Sequence, residues 1–322
     1  MMRCLITGVT GFVGRHLATA LTVEGHDVFG TDRTAPSDAR ALPVEAARFV
    51  TATLDDVARL TAVVHDVQPT VLFHLAAFTN PSASFDDPAD VYRTNLHGSL
   101  NVFGAVRSAA PQCRLVWIGS SDAYGLVNPD ELPVGEQQVF RPLSPYAVSK
   151  AAADLAAFQW SRASGLDVVR LRPFNHTGPG QAAHYVCADF ARQVVAVERG
   201  LQPPRIAVGN LDVARDFSDV RDVVRAYITA WHRGERGEAY NVCSGVARTP
   251  GDIVHDLLHL SGVTASVEPD PARQRPVDVP HLVGSAAKLH AATGWAPQIT
   301  WTQTLRDLLD DWRVRLAETG TA

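Results

Sequence analysis

Residues 3–32 read RCLITGVTGFVGRHLATALTVEGHDVFGTD, and this stretch decides the fold. Arg3–Thr7 is a short apolar run that predicts a strand. Gly8, Gly11 and Gly14 follow, then a helix-like run over 15–21. A second strand over 27–31 ends at Asp32. Strand, glycine turn, helix and strand, with a carboxylate roughly twenty residues past the glycines, is the pattern of a dinucleotide-binding βαβ unit. Gly8 permits the tight turn, Gly11 lets backbone approach a pyrophosphate, and Gly14 lets helix and strand sit close. Thr10, Phe12 and Val13 complete the turn, and the helix N-terminus offers unpaired N–H groups to phosphate. Asp32 can accept both adenosine ribose hydroxyls and repels a 2′-phosphate, which leans the reading to NAD(H). Arg33, able to pair with that phosphate or stack on adenine, keeps NADP open.

Outward from this unit the alternation continues. Strand-like runs over 71–75, 114–118 and 167–171 are separated by helix-like runs over 86–109 and 145–164. Near-continuous apolar strands alternating with helices predict an α/β fold with a Rossmann doubly wound parallel sheet. After Arg172 proline and glycine cluster at 173–180 and 203–209. Helices are expected at 185–199, 219–232, 251–261 and 301–317, a strand at 239–243, and a Pro-rich stretch at 269–280. The expected division is a Rossmann domain over 1–172, joined by 219–246, and a smaller substrate-binding lobe from 173–218 and 247–322.

Ligands of open parallel sheets bind beyond the carboxyl ends of the strands. There the 114–118 strand leads into Gly119-Ser120-Ser121-Asp122-Ala123-Tyr124-Gly125. Ser120 can hydrogen-bond a substrate oxygen and share developing charge. Ser144-Pro145-Tyr146-Ala147-Val148-Ser149-Lys150 sets a phenol and an ammonium four residues apart, on one helical face. A cation one turn away is expected to lower the phenol's pKa from ~10. Tyr146 then gives or takes a proton at a carbinol or carbonyl oxygen.

The 322 residues, 46% apolar, suit a globular protein, and the net charge of −5 gives no reason to expect nucleic acid or an anionic membrane as partner. No run reaches the ~18 apolar residues of a membrane span. Cys4, Cys113, Cys187 and Cys243 lack metal-ligand or redox-motif spacing, so four reduced, mostly buried thiols, no metal and a cytoplasmic setting are expected.

The glycine turn, the Ser120 loop and the Tyr146/Lys150 pair together resemble the extended short-chain dehydrogenase/reductases that act on nucleotide sugars. LRPFNHTGPGQ at 171–181 resembles the branch of GDP-mannose 4,6-dehydratases and GDP-4-keto-6-deoxymannose reductases. VGNLD at 208–212, RDFSDVRD at 215–222, YNVCSG at 240–245 and DPARQRPVDVP at 270–280 are more similar to the reductases. The resemblance implies that Tyr146 is the acid/base, that Lys150 lowers its pKa and holds the nicotinamide ribose, and that Ser120 orients the sugar. It implies NAD(P)H contacts also from Leu54, Ala76, Ala77 and Pro173, and sugar-nucleotide contacts from Ser121, Asn175, Arg215 and Arg275. The substrate implied is a GDP-linked sugar, and the activity is reduction of the C4 ketone of a GDP-4-keto-6-deoxyhexose. Dehydratase or 4-epimerase chemistry with retained cofactor is the alternative, and a cofactor-binding sensor a more distant one. A homodimer through the helices near 86–109 and 145–164 is likewise implied.

Three departures stand out. Asp122 takes the place of the dehydratases' Glu base, one methylene shorter, which favours the reductase. Thr53-Leu54 replaces an Asp that many relatives place near adenine. Phe78-Thr79-Asn80 is unusual for the reductases, and His184-Tyr185, where the lobe should cover the sugar, has no assigned role.

Overall fold

Glycine makes the first turn of the chain possible, and the sheet grows from it. The computed structural model describes residues 1–36, 42–273 and 279–319. Strand β1 (Arg3–Thr7) runs into Gly8, whose φ is +73° and where a Cβ would lie 2.8 Å from the Ala76 nitrogen. At Gly14 a Cβ would lie 2.3 Å from the Gly8 carbonyl oxygen, so helix α1 (Phe12–Val23) rests directly on the turn. Strand β2 (Asp27–Asp32) pairs parallel with β1, Thr7 opposite Thr31.

Strand β3 (Phe49–Thr51) is too short for an apolar pattern to predict. Helix α2 (Val57–Val67) and β4 (Val71–His74) follow. The helix expected over 86–109 is broken into α3 (Pro88–Tyr92), a π-helical turn at Arg93–His97, and α4 (Gly98–Ala109). After β5 (Arg114–Ile118) comes α5 (Pro145–Ser164). Its start is fixed by Ser144, which accepts from the Ala147 N–H at 3.1 Å, and by Pro145 in the first turn. Gly165, at φ +75°, ends it.

From β6 (Val168–Pro173) the chain leaves the sheet through β7 (Asn175–Thr177), α6 (Val186–Glu198), β8 (Arg205–Val208) and β9 (Ala214–Asp219). It returns with α7 (Val220–Arg233) and β10 (Ala239–Val242). The remainder is β11 (Ala247–Arg248), α8 (Pro250–Ser261), β12 (Ser266–Pro269), β13 (His281–Leu282), α9 (Ala287–Thr293) and α10 (Trp301–Thr319).

The principal sheet is parallel, with order β10-β6-β5-β4-β1-β2-β3. Strand order reverses between β1 and β4, and ligands enter the crevice at such a point. Leu17, Val223, Tyr227 and Trp231 cover one face from α1 and α7. Leu60, Phe103 and Ala157 cover the other from α2, α4 and α5. This is a Rossmann α/β fold. A third core joins α6, α8 and α10 through Phe190, Leu257 and Leu308, beside a small sheet of β11, β9 and β13 with β7 on β9. Leu289 and Trp295, in the 247–322 stretch, pack into the Rossmann core. The Trp295 indole donates to the Asp222 carbonyl at 3.0 Å, tying this segment to α7. No described helix is long and apolar enough to cross a membrane, and all four cysteines are free and buried.

Candidate active site

One cavity of about 1000 Å³ runs from the glycine turn to the small sheet. Its first half is lined by Gly8, Thr10, Gly11, Phe12, Val13 and Gly14, then Asp32, Arg33 and Leu54. Ala76, Ala77 and Pro173 line it further in. The residues fit a nicotinamide dinucleotide. Gly11 caps α1 without a side chain, so the first-turn N–H groups face no covalent neighbour that would compete with phosphate. Asp32 is held in place: its Oδ2 accepts from the Thr10 hydroxyl at 2.5 Å, and its Oδ1 from the Arg33 N–H at 2.8 Å. The carboxylate therefore has a fixed position at the end of β2, where an adenosine ribose would reach it.

The second half brings Ser120, Ser121, Asp122, Tyr146, Lys150, Asn175 and Arg215 to the same cavity. Asn175 and Arg215 arrive from β7 and β9, whose pairing sets Asn175 opposite Phe217. Arg275 lies outside the described residues. Ser120 caps the 3-10 turn Ser121–Tyr124 and accepts from the Asp122 N–H at 3.1 Å.

At Tyr146 burial outweighs the neighbouring cation that the spacing brings to mind. Burial pushes its pKa well above the usual phenol value, and the Asp122 carboxylate pushes in the same direction. A hydrogen bond to Ser120 opposes them only in part. The Lys150 ammonium donates to the Ile118 carbonyl at 2.9 Å and lies 5.6 Å from the centre of the Trp117 ring. Burial lowers the Lys150 pKa to about 8. Burial and Asp122 thus favour the protonated phenol. Beneath the pair, burial and then the Lys150 charge take the His74 pKa down to about 3, so this imidazole is neutral. It bonds Thr7 at 2.8 Å and Ser99 at 3.2 Å and acts as structural filling under the site.

Two supports escaped the sequence. Asn95, in the π-helical turn, accepts from the Phe78 N–H at 2.7 Å and donates to the Ser149 hydroxyl at 2.9 Å. It thereby ties the cavity wall to α5. The available signal was an Asn inside a helix-like run, where the side chain normally competes with the backbone. Asp154, two turns beyond Tyr146 on α5, is buried against Arg170 and Arg172. Arg172 in turn donates to the Tyr124 hydroxyl at 2.9 Å, at the end of the Ser120 turn.

The chain matches the family model described as GDP-mannose 4,6 dehydratase over residues 5–308. GDP-6-deoxy-D-mannose reductase of Pseudomonas aeruginosa is 38% identical over 316 residues, 98% of this chain and 99% of its own length. The structure of RMD from Pseudomonas aeruginosa complexed with NADPH matches with a TM-score of 0.82 at 35% identity, over 98% of this chain and 100% of that one. UDP-glucose 4-epimerase of Thermus thermophilus, in complex with NAD, matches with a TM-score of 0.86 at 31% identity, over 97% and 99% of the two chains. A glycine-turn cleft continuous with a Ser-Tyr-Lys cluster, on a chain alike from end to end, leaves one assignment: the protein belongs to the GDP-mannose 4,6 dehydratase family.

Proposed function

We propose that the protein is an NAD(P)H-dependent oxidoreductase that reduces the C4 ketone of a GDP-4-keto-6-deoxyhexose to a GDP-6-deoxyhexose such as GDP-D-rhamnose. The observation that carries this is the one cavity in which Ser120, Tyr146 and Lys150 stand between the glycine-turn cleft and the lobe residues Asn175 and Arg215. Reduction of a ketone needs an acid, because the oxygen becomes an alkoxide that is more basic than a phenolate. A bound nicotinamide would supply the hydride to the carbonyl carbon. Ser120 donates a hydrogen bond to the carbonyl oxygen and polarises it. Tyr146 gives that oxygen its proton, and Asp122, by keeping the phenol protonated, holds the site ready for that direction of transfer. Lys150, charged below about pH 8, would hold the cofactor ribose and supply positive charge to the same cavity as Tyr146. Asn175 and Arg215 would hold the sugar diphosphate, for which a guanidinium fork is suited.

The assay is loss of reduced cofactor on adding GDP-4-keto-6-deoxymannose. Consumption with formation of a GDP-6-deoxyhexose is expected; inertness of a folded, cofactor-binding enzyme would sink the reading. NADH is the expected better donor, because the fixed Asp32 carboxylate opposes a 2′-phosphate, and side-by-side kcat/KM values with NADH and NADPH decide it. Turnover of GDP-mannose without added cofactor would instead mark a dehydratase in which Asp122 serves as base.

The same reading includes a homodimer. The outer face of α5 leaves Val148, Leu155 and Phe158 exposed, a stripe unsuited to water on a helix otherwise rich in alanine. Leu155→Glu is expected to give a monomer on size-exclusion chromatography with light scattering. A variant that keeps the wild-type mass argues against this face.

A further inference from the structure

Phe78-Thr79-Asn80 and His184-Tyr185 come from opposite walls of the cavity, and the fold brings them together. Thr79 lies in the loop after β4, on the Rossmann side. Tyr185 is the residue that caps α6, on the lobe side. Their hydroxyls are 3.1 Å apart, a hydrogen bond that bridges the two halves across the cavity they both line. The Tyr185 ring is backed on the outside by the exposed His184 ring, with centroids 4.2 Å apart. On the inside it lines the same cavity as Tyr146 and Ser120.

Each hydroxyl offers one donor and two acceptor sites. The pair consumes one donor and one acceptor, so one hydrogen and three lone pairs remain for a ligand. That complement suits a sugar hydroxyl, which both gives and takes a hydrogen bond. The reacting oxygen must sit on Tyr146 and Ser120. A sugar hydroxyl bonded to the pair then belongs to the same ring, at a carbon other than the reacting one. Of the two neighbours of a C4 ketone in a 6-deoxyhexose, C5 carries the methyl group and the ring oxygen but no hydroxyl, and C3 carries a hydroxyl.

We infer that Thr79 and Tyr185 form a specificity clasp that recognises the C3 hydroxyl of the ketosugar and fixes which carbonyl faces Tyr146. This rests on the reductase reading above. The two residues do not act in proton transfer; they set the substrate's rotation in the site. A single hydrogen bond is worth about 0.5–1.5 kcal/mol, so each hydroxyl accounts for up to about tenfold in kcat/KM.

The test compares kcat/KM for GDP-4-keto-6-deoxymannose and its 3-deoxy counterpart in the wild type, Tyr185→Phe, Thr79→Val and the double variant. The wild type should prefer the hydroxylated ketone. Each single variant should lose about tenfold on that ketone and little on the 3-deoxy compound. The double variant should lose scarcely more than either single one, because the two hydroxyls act as a unit. Equal losses on both ketones would mean that the pair only braces the cavity, and the inference fails. A wild type that does not distinguish the ketones also overturns it. A wild type inert with both removes the reductase reading, and the clasp with it.

Discussion

Tyr146→Phe is expected to lower kcat for ketone reduction by about a thousandfold while KM stays within a few-fold of the wild type. The ring stays buried, so its packing on α5 and its place in the cavity wall survive. What goes is the proton that must reach the alkoxide, and a positioned acid typically contributes ~10²–10⁴-fold. A loss confined to kcat identifies an interaction made in the transition state. The pH dependence separates Tyr146 from its neighbour. With its pKa pushed up by burial and by Asp122, Tyr146 keeps its proton throughout the physiological range. Lys150 titrates at about 8, and a cationic group whose pKa is lowered loses charge as pH rises through that value. The wild-type kcat/KM, which reports the free enzyme, should therefore fall on the alkaline side with an apparent pKa near 8, and Lys150→Met should abolish that limb along with most of the rate. Stopped-flow or steady-state assays from pH 6 to 10 would show it. A Tyr146→Phe enzyme within tenfold of the wild type would remove Tyr146 from the role of acid.

The glycine turn was legible because its constraints are local. Gly8 needs a positive φ and Gly14 needs no Cβ, and both demands appear as residue identities at fixed spacing. The same holds for Ser144, Pro145 and Gly165, which bound α5 in sequence as they do in space. The strands announced themselves because parallel sheets are covered on both faces. The electrostatics were not legible, since a spacing of four residues says that Tyr146 and Lys150 share a face but not where the ammonium points. It points to the Ile118 carbonyl, 32 positions away. The break of the 86–109 helix falls at the π-helical turn that holds Asn95, which bonds to Phe78 and Ser149, partners set by tertiary packing. Thr79 and Tyr185 were each visible as oddities, but their meeting across the cavity depends on how the lobe folds back. Local chemistry was readable, and contacts between distant segments were not.

Asp154→Asn should unfold the protein at a lower temperature and slow the reaction with it. Asp154 is 1% exposed and its carboxylate bonds both Arg170 and Arg172; Arg172 reaches it with two hydrogen bonds of 2.9 Å. Burial alone would lower the Arg172 pKa, yet the hydrogen bonds and charge of Asp154 raise it above the ordinary guanidinium value. Replacing the carboxylate by an amide removes the counter-charge that the two buried guanidinium groups share and leaves them repelling each other, with Glu238 acting at longer range on Arg170. Removing one partner of a buried ion pair costs about 3–5 kcal/mol. At ~2–4 °C per kcal/mol for domains somewhat smaller than this chain, the melting temperature should fall on the order of 10 °C. The catalytic consequence runs through Arg172, which also donates to the Tyr124 hydroxyl and the Glu136 carbonyl, each at 2.9 Å. Tyr124 continues to Asn241 on β10 at 2.7 Å. Asp154 thus links the helix of Tyr146 and Lys150 to the turn of Ser120, and a loosened link should lower kcat more than it raises KM, even well below the melting transition. Taking one cation away as well separates the electrostatic cause from lost shape. Asp154→Asn with Arg172→Met should recover part of the stability lost in Asp154→Asn alone, because one uncompensated charge is gone. Scanning calorimetry on the three proteins reads this directly. An Asp154→Asn protein that melts within 2 °C of the wild type would show that the two arginines do not depend on this carboxylate.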